Sequence, residues 1–294
     1  MKIDSIKTIV ELCEKLNIGI SDLALRYECE STGLSEIEII AHMENNLCAM
    51  EQSVQQGLAG VESYSGFTGG DAVKIDRYRR SGKAILGDIM LQALSNAVAV
   101  NEVNAAMGVI CATPTAGSAG VVPAVLFAIT DKLNLTRRQQ INFLMTAGIC
   151  GLVIGNNASI SGARGGCQAE IGSASAMAAA ATVEAAGGSP DESAHALAIA
   201  LMNVLGLACD PIAGLVEMPC IKRNAMGATN ALTAAELALA GVKSRIPTDE
   251  VVEAMDRIGR MMPMALRETA LGGLADTPTG RKIAEELKRR RSQK

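Results

Sequence analysis

Tryptophan is missing from the 294 residues, and phenylalanine and tyrosine occur three times each. A core without aromatics must be filled by Ala, Gly, Met, Leu and Ile, which favours helices packed closely through small side chains. Long β-branched runs are scarce as well, so few strands are expected. No pair of cysteines has CxxC spacing, which excludes the zinc-finger, thioredoxin and ferredoxin patterns. Neither GxxxxGK[ST] nor GxGxxG occurs, which argues against nucleotides. An excess of positive charge is also lacking. The net charge is −4, and this argues against nucleic acid as a partner. The run Lys288-Arg289-Arg290-Arg291 reads as a solvated helix end favoured by the helix dipole.

Met1-Lys2-Ile3-Asp4 leads straight into an amphipathic pattern, so no signal peptide is expected. The eight cysteines have no regular spacing and fit a reducing cytoplasm. Two uncharged stretches, residues 103–130 and 139–163, are long enough to cross a membrane. Polar turns around Thr113–Gly120 and Asn156–Ser159 interrupt or end them, so both read as buried helices and no membrane span is expected.

What is present is mostly helix. Ile3 to Leu16 is amphipathic. Ser35 can cap a helix running to about Gly57. Further helices are expected over 71–80, 85–111, 121–132, 136–154, 169–186, 191–207, 223–240, 248–262 and 279–291. Pro190 stands at a first helical position behind Ser189. The Ala-rich stretch 169–186 must lie against other helices on more than one side. Ser63 to Gly70 is a polar, Gly-rich joint. These signals predict an all-α, compact multi-helix domain with Gly- and Pro-rich loops converging on a metal site. Residues 1–62 form an N-terminal helical segment, and 63–294 form the catalytic domain, packed together as one unit.

Three cysteines stand apart from this helical background. Cys167 follows Gly165-Gly166, Cys209 precedes Asp210-Pro211, and Cys220 follows Met218-Pro219. Each is expected on a shaped loop, whereas Cys13, Cys29, Cys48, Cys111 and Cys150 lie mostly in apolar, helix-like stretches where cysteine acts as a small hydrophobe. Three loop thiolates without a fourth suggest a metal centre with one open position, the arrangement that supports chemistry at the metal. The loops Thr113–Gly120 and Asn156–Ala163 offer small hydroxyls and backbone N–H groups suited to a small anion. Thr115, Gly117, Ser118, Asn157 and Ser161 are the candidate substrate contacts, and Arg267 could pair a carboxylate. His42 and His195 sit within helices and read as structural. Lys74, Lys83 and Lys222 make no strong case for a Schiff base.

The blocks Thr113 to Gly120, Asn157-Ala158-Ser159-Ile160-Ser161-Gly162-Ala163, Gly166-Cys167-Gln168-Ala169-Glu170-Ile171-Gly172-Ser173, Cys209 to Cys220 and Arg267-Glu268-Thr269 together resemble the α chain of the iron–sulfur L-serine dehydratases, over about Asn45 to Arg281. The resemblance implies an oxygen-sensitive [4Fe–4S] cluster held by Cys167, Cys209 and Cys220. It implies deamination of L-serine to pyruvate and ammonia without pyridoxal phosphate. The family's base is a His in a Ser-His-Thr motif of a β part. This chain has no such motif, so the catalytic base is expected on a separate β chain. Some single-chain members carry a C-terminal Cys that fills the open iron at rest. Here the tail reads Ser292-Gln293-Lys294, without one. Two rival functions stand beside this one: an L-cysteine desulfidase of the same α-domain family, and a non-catalytic, metal-stabilised subunit.

Overall fold

The computed structural model describes residues 1–292. The expectation about a C-terminal cysteine falls partly on Gln293 and Lys294, outside the described residues. Thirteen α-helices and no strand occur among the described residues. In chain order they are α1 (Ile6–Leu16), α2 (Ile20–Thr32), α3 (Glu36–Ala59), α4 (Asp71–Arg80), α5 (Asp88–Ala105), α6 (Val121–Leu133), α7 (Arg137–Asn157), α8 (Gly162–Gly165), α9 (Ser173–Ala185), α10 (Pro190–Met202), α11 (Cys220–Leu239), α12 (Thr248–Met261) and α13 (Pro278–Ser292). The all-α expectation holds.

At the centre is α9, in which every residue from Ser173 to Val183 is buried. Its alanines let α6, α7, α10 and α11 close around it. The same hydrophobic cluster takes in Ile6 and Ile9 of α1, Leu23 of α2 and Leu47 of α3. The apolar window Ala116–Leu133, the one candidate for a membrane span among the described residues, is two-thirds buried inside this core.

Several helices start where local chemistry dictates. Ser35 with Glu38, Thr136 with Gln139, and Ser189 with Glu192 form capping boxes, and Pro190 opens α10. The helix expected over 85–111 is shorter. It begins at Asp88 and ends at Ala105, after which Met107 turns the chain with φ 62°.

Helix α2 was not expected, and its start shows why. The N-cap Gly19 has no side chain to offer, and Glu184 of α9 supplies the cap from across the core. Ser21 donates to Glu184 Oε1 from its amide at 3.0 Å and from its hydroxyl at 3.1 Å, and the Thr146 hydroxyl donates to Oε2. A Cβ at Gly19 would lie 2.6 Å from Glu184 Oε1. Glu102 caps α4 similarly, accepting from the amides of Asp71 and Ala72 at 2.7 and 3.2 Å.

Burial pushes the Glu184 carboxyl above its ordinary value of 4.5, against the hydrogen bonds from Thr146 and Ser21. Because the folded value is the higher one, this group's contribution to stability is fullest at acid pH. It falls as pH rises past about 4.5 toward the folded value. Thermal melts should therefore show Glu184→Ala less stable by about 1–3 kcal/mol through orphaned donors. Glu184→Gln, which can still accept at the α2 start, should flatten the pH dependence above 4.5. An identical pH profile in Glu184→Gln would refute this role.

The segment 63–70 is tied down on both sides. The hydroxyls of Ser65 and Thr68 donate to the buried Glu217 at 2.7 and 2.8 Å, and the Arg290 guanidinium lies 4.8 Å over the Phe67 ring. Through Glu217 it braces the stretch between Cys209 and Cys220.

Candidate metal centre

Each of the three cysteines is placed by its own local device. Gly166 takes φ 76°, a left-handed conformation natural to glycine. Cys167 then opens a helical run that widens into a π-turn over Gln168–Gly172, a feature often found at functional sites. The fully buried Gln168 anchors that turn. Its Nε2 donates to Met255 O at 2.9 Å, and its Oε1 accepts from Gly206 N at 2.8 Å. Cys209 lies in a short parallel bridge to Arg267: its amide donates to Leu266 O at 2.8 Å, and Glu268 N donates to its carbonyl at 2.7 Å. Cys220 is the first residue of α11. Cys167 and Cys220 therefore start helical elements rather than sitting in loops, which corrects the loop assignment for both. At a helix start the peptide dipoles favour a thiolate.

Asn224, one turn into α11, joins this helix to the Thr113–Gly120 loop. Its Nδ2 donates to Cys220 O at 3.0 Å and Gly117 O at 2.7 Å, and its Oδ1 accepts from Gly120 N at 3.1 Å.

The three thiols are buried. Sγ of Cys167, Sγ of Cys209 and a carboxylate oxygen of Glu170 all lie within 4.8 Å of one another. A hydrogen bond from Cys209 holds the Cys167 thiol below its ordinary range, with Arg223 assisting against burial, while the same contact pushes Cys209 up. Burial pushes the Cys220 thiol up to about 12, and the charge on Cys167 adds to this. Arg223 Nη1 stands 3.4 Å from Cys167 Sγ and 2.8 Å from Ala208 O. Its Nη2 lies 2.7 Å from Asp210 Oδ1, and Asp210 Oδ2 accepts from Leu274 N at 2.7 Å. One half-buried cation is thus shared between a thiol and the residue following Cys209.

Glu170 was not among the residues singled out from sequence. It follows Cys167 by three positions, a spacing that shares a helix face, and this is the signal that could have found it. Thr115 Oγ1 donates to its Oε1 at 2.7 Å. Two glycines make room for it: a Cβ on Gly117 would lie 3.1 Å from both carboxylate oxygens, and one on Gly162 would lie 2.7 Å from Oε2 and 3.1 Å from Cys209 Sγ. Burial pushes the Glu170 carboxyl above its usual range and repulsion from Glu268 adds to the rise, while the Thr115 hydroxyl and the Gly162 amide oppose it.

Of the candidate substrate contacts, Thr115 and Gly117 therefore reach the centre through Glu170. Ser118 is fully buried, and its hydroxyl donates to Thr113 O at 3.0 Å inside its own loop. Asn157 Nδ2 donates to Asp4 O at 2.9 Å and Val153 O at 2.8 Å. Ser161 directly precedes Gly162 and lines a cavity of about 670 Å3 with Asn157, Arg164 and Arg267. The Arg267 Nε is buried without a hydrogen-bond partner. Cys111 is half-buried and packs against the main core. His42 is exposed on α3, and His195 on α10 stands 3.5 Å from Asp191.

The donor set suits a thiophilic metal centre: three buried thiols from separate elements, a guanidinium beside one sulfur, and a glycine at Gly162 where a side chain would intrude. An all-helical chain that gathers two thiols and a carboxylate in this way belongs to the class of helical proteins with a group able to hold a metal ion. The chain belongs to the family described as "Serine dehydratase alpha chain", which it matches over residues 15–275. It is 61% identical over 283 residues to the probable L-serine dehydratase, alpha chain, of Bacillus subtilis (strain 168), covering 96% of this chain and 94% of that protein. It is 63% identical over 193 residues to the probable L-serine dehydratase, alpha chain, of Latilactobacillus sakei, covering 66% and 92%. It is 47% identical over 288 residues to the L-serine dehydratase, alpha chain, of Peptoniphilus asaccharolyticus, covering 97% and 98%.

Proposed function

We propose that this chain is the α subunit of an iron–sulfur L-serine dehydratase, a carbon–nitrogen lyase that converts L-serine to pyruvate and ammonia without pyridoxal phosphate and works with a separate β chain. The observation that carries the reading is the convergence of the Cys167 and Cys209 sulfurs with a Glu170 carboxylate oxygen, all within 4.8 Å of one another, with the buried Cys220 thiol near enough to feel the charge on Cys167. Those three cysteines would hold a [4Fe–4S] cluster. When bound, such a cluster supplies a Lewis-acidic iron that has no protein thiolate of its own.

The chain's own residues do the rest. Arg223 orients the Cys167 sulfur and balances its charge. Burial of all three thiols excludes water and oxidants from their inner side. Thr115, Gly117 and Ser161 provide the substrate contacts, and Ser118 and Asn157 fix the loops that carry them. Loss of the α-proton and of the β-hydroxyl gives an enamine, which hydrolyses to pyruvate and ammonia. The base that takes the α-proton belongs to the β chain.

Anaerobic isolation tests this reading. The protein should carry about four iron and four labile sulfide per chain. L-Serine should perturb the optical spectrum and yield pyruvate in preference to L-cysteine. Sulfide release from L-cysteine as the faster reaction would make the chain a desulfidase. Stoichiometric zinc without sulfide would leave it a structural metal protein.

A further inference from the structure

The active centre proposed above carries two carboxyl groups that no ion pair neutralises among the described residues. Glu170 has one hydroxyl donor, Thr115 at 2.7 Å, and the Gly162 amide. Glu268 lies close enough to repel it. Neither forms an ion pair among the described residues. Arg223, the cation beside Cys167, is already divided between Cys167 and Asp210.

The backbone is arranged to keep this charge in place. Gly117 and Gly162 lack the Cβ atoms that would displace the Glu170 carboxylate. Glu268 adopts φ 62°, while its amide is held by Cys209 O at 2.7 Å. Unlike the three buried cysteines, Thr115, Gly117, Glu170 and Glu268 all remain partly accessible. Two carboxyl groups therefore stand at the edge of the centre that faces solvent. Beside Glu268 in the chain stands Arg267, whose Nε has no partner.

We propose that Glu170, supported by Glu268, receives the α-ammonium group of the substrate and so selects amino acids over hydroxy acids of the same shape. The proposal rests on the L-serine dehydratase reading. Two partly buried carboxylates, one of them within 4.8 Å of the Cys167 and Cys209 sulfurs, would be costly without a counter-charge. An incoming ammonium supplies that charge, and its hydrogen bond to a carboxylate is of the stronger, charge-assisted kind. A hydroxyl in the same position could donate a hydrogen bond but would bring no charge.

The test compares L-serine with L-glycerate, which carries a hydroxyl where serine carries its ammonium. Binding to the anaerobically isolated holoprotein is read from the optical shift before the first turnover, with iron content and melting temperature measured on each variant. The unaltered protein should bind L-serine at least tenfold more tightly than L-glycerate. Glu170→Gln should weaken L-serine by about 10–100-fold, leave L-glycerate nearly unchanged and keep its iron. Glu170→Asp, which keeps the charge, should retain part of the preference. Glu268→Gln should narrow it less.

Three results would overturn the proposal. In the first, Glu170→Gln loses iron in proportion, which would make Glu170 a metal ligand. In the second, both ligands weaken equally. In the third, Glu170→Gln and Glu268→Gln both keep the full preference for L-serine. Failure of the unaltered protein to bind L-serine at all would instead overturn the dehydratase reading, and this inference with it.

Discussion

Serine in place of Cys167, Cys209 or Cys220 should each strip the iron chromophore and reduce pyruvate formation to background. Serine in place of Cys13, Cys29, Cys48 or Cys150 should leave iron content intact. The distinction lies in where the thiols go. The first three come from the π-turn, the bridge to Arg267 and the start of α11, and the backbone at or beside each is fixed by bonds that a Ser side chain would not disturb: Gln168 N to Leu207 O next to the first, Leu266 O and Glu268 N for the second, Asn224 for the third. The variants should therefore fold with the site in place but without one soft donor, and an alcohol is a poor substitute for a thiolate toward iron. Cys13 and Cys150 are buried in the main core beside Glu184. Burial, with that carboxylate adding, pushes Cys13 up to about 12 and Cys150 upward too. Such thiols stay protonated and act as packing. Iron per chain, measured anaerobically, decides the matter, and a full complement of iron in Cys209→Ser would refute the assignment.

Much of this was legible in the chain before its structure. Ser35-Glu38 and Ser189-Pro190-Glu192 announce helix starts through contacts three residues long, and the alanines of α9 announce burial on all sides. What could not be read depends on long-range partners. The start of α2 is capped by Glu184, 163 residues away from Ser21, so no local signal marks it. The aim of Glu170 depends on a π-turn and on two glycines from separate loops, and pairwise spacing gives no such geometry. Gly166 and Pro219 were taken as chain-turning residues, yet helical structure begins before the expected starts at 169 and 223, so Cys167 and Cys220 fall on the helical side. Local pattern locates the ligands, and tertiary structure decides what stands next to them.

The isolated chain should turn over L-serine slowly, and adding a β chain should raise the rate by about 10²–10⁴-fold, the usual worth of general-base catalysis. The argument starts from what the centre holds. Beside the Cys167 and Cys209 sulfurs stand Glu170 and Arg223, with Thr115 bonded to Glu170 and the Gly162 backbone close to Cys209. Arg223 is a permanent cation and cannot accept a proton. Glu170 is assigned to the substrate ammonium, and a carboxylate engaged in that way is a weakened base. Neither histidine reaches the centre: His42 is exposed on α3, and His195 is engaged with Asp191 on α10. Among the described residues the proposed site therefore offers the substrate α-carbon proton no good acceptor, and on the proposed reading a β chain would bring one to the accessible side of Thr115, Gly117 and Glu268. The rescue should appear mainly in kcat, because the substrate contacts are already in place, and it should carry the pH dependence of a group absent from the isolated chain. His42→Asn and His195→Asn should leave the rescued rate unchanged. Full activity from the chain alone, abolished by His195→Asn, would move the base back into this subunit.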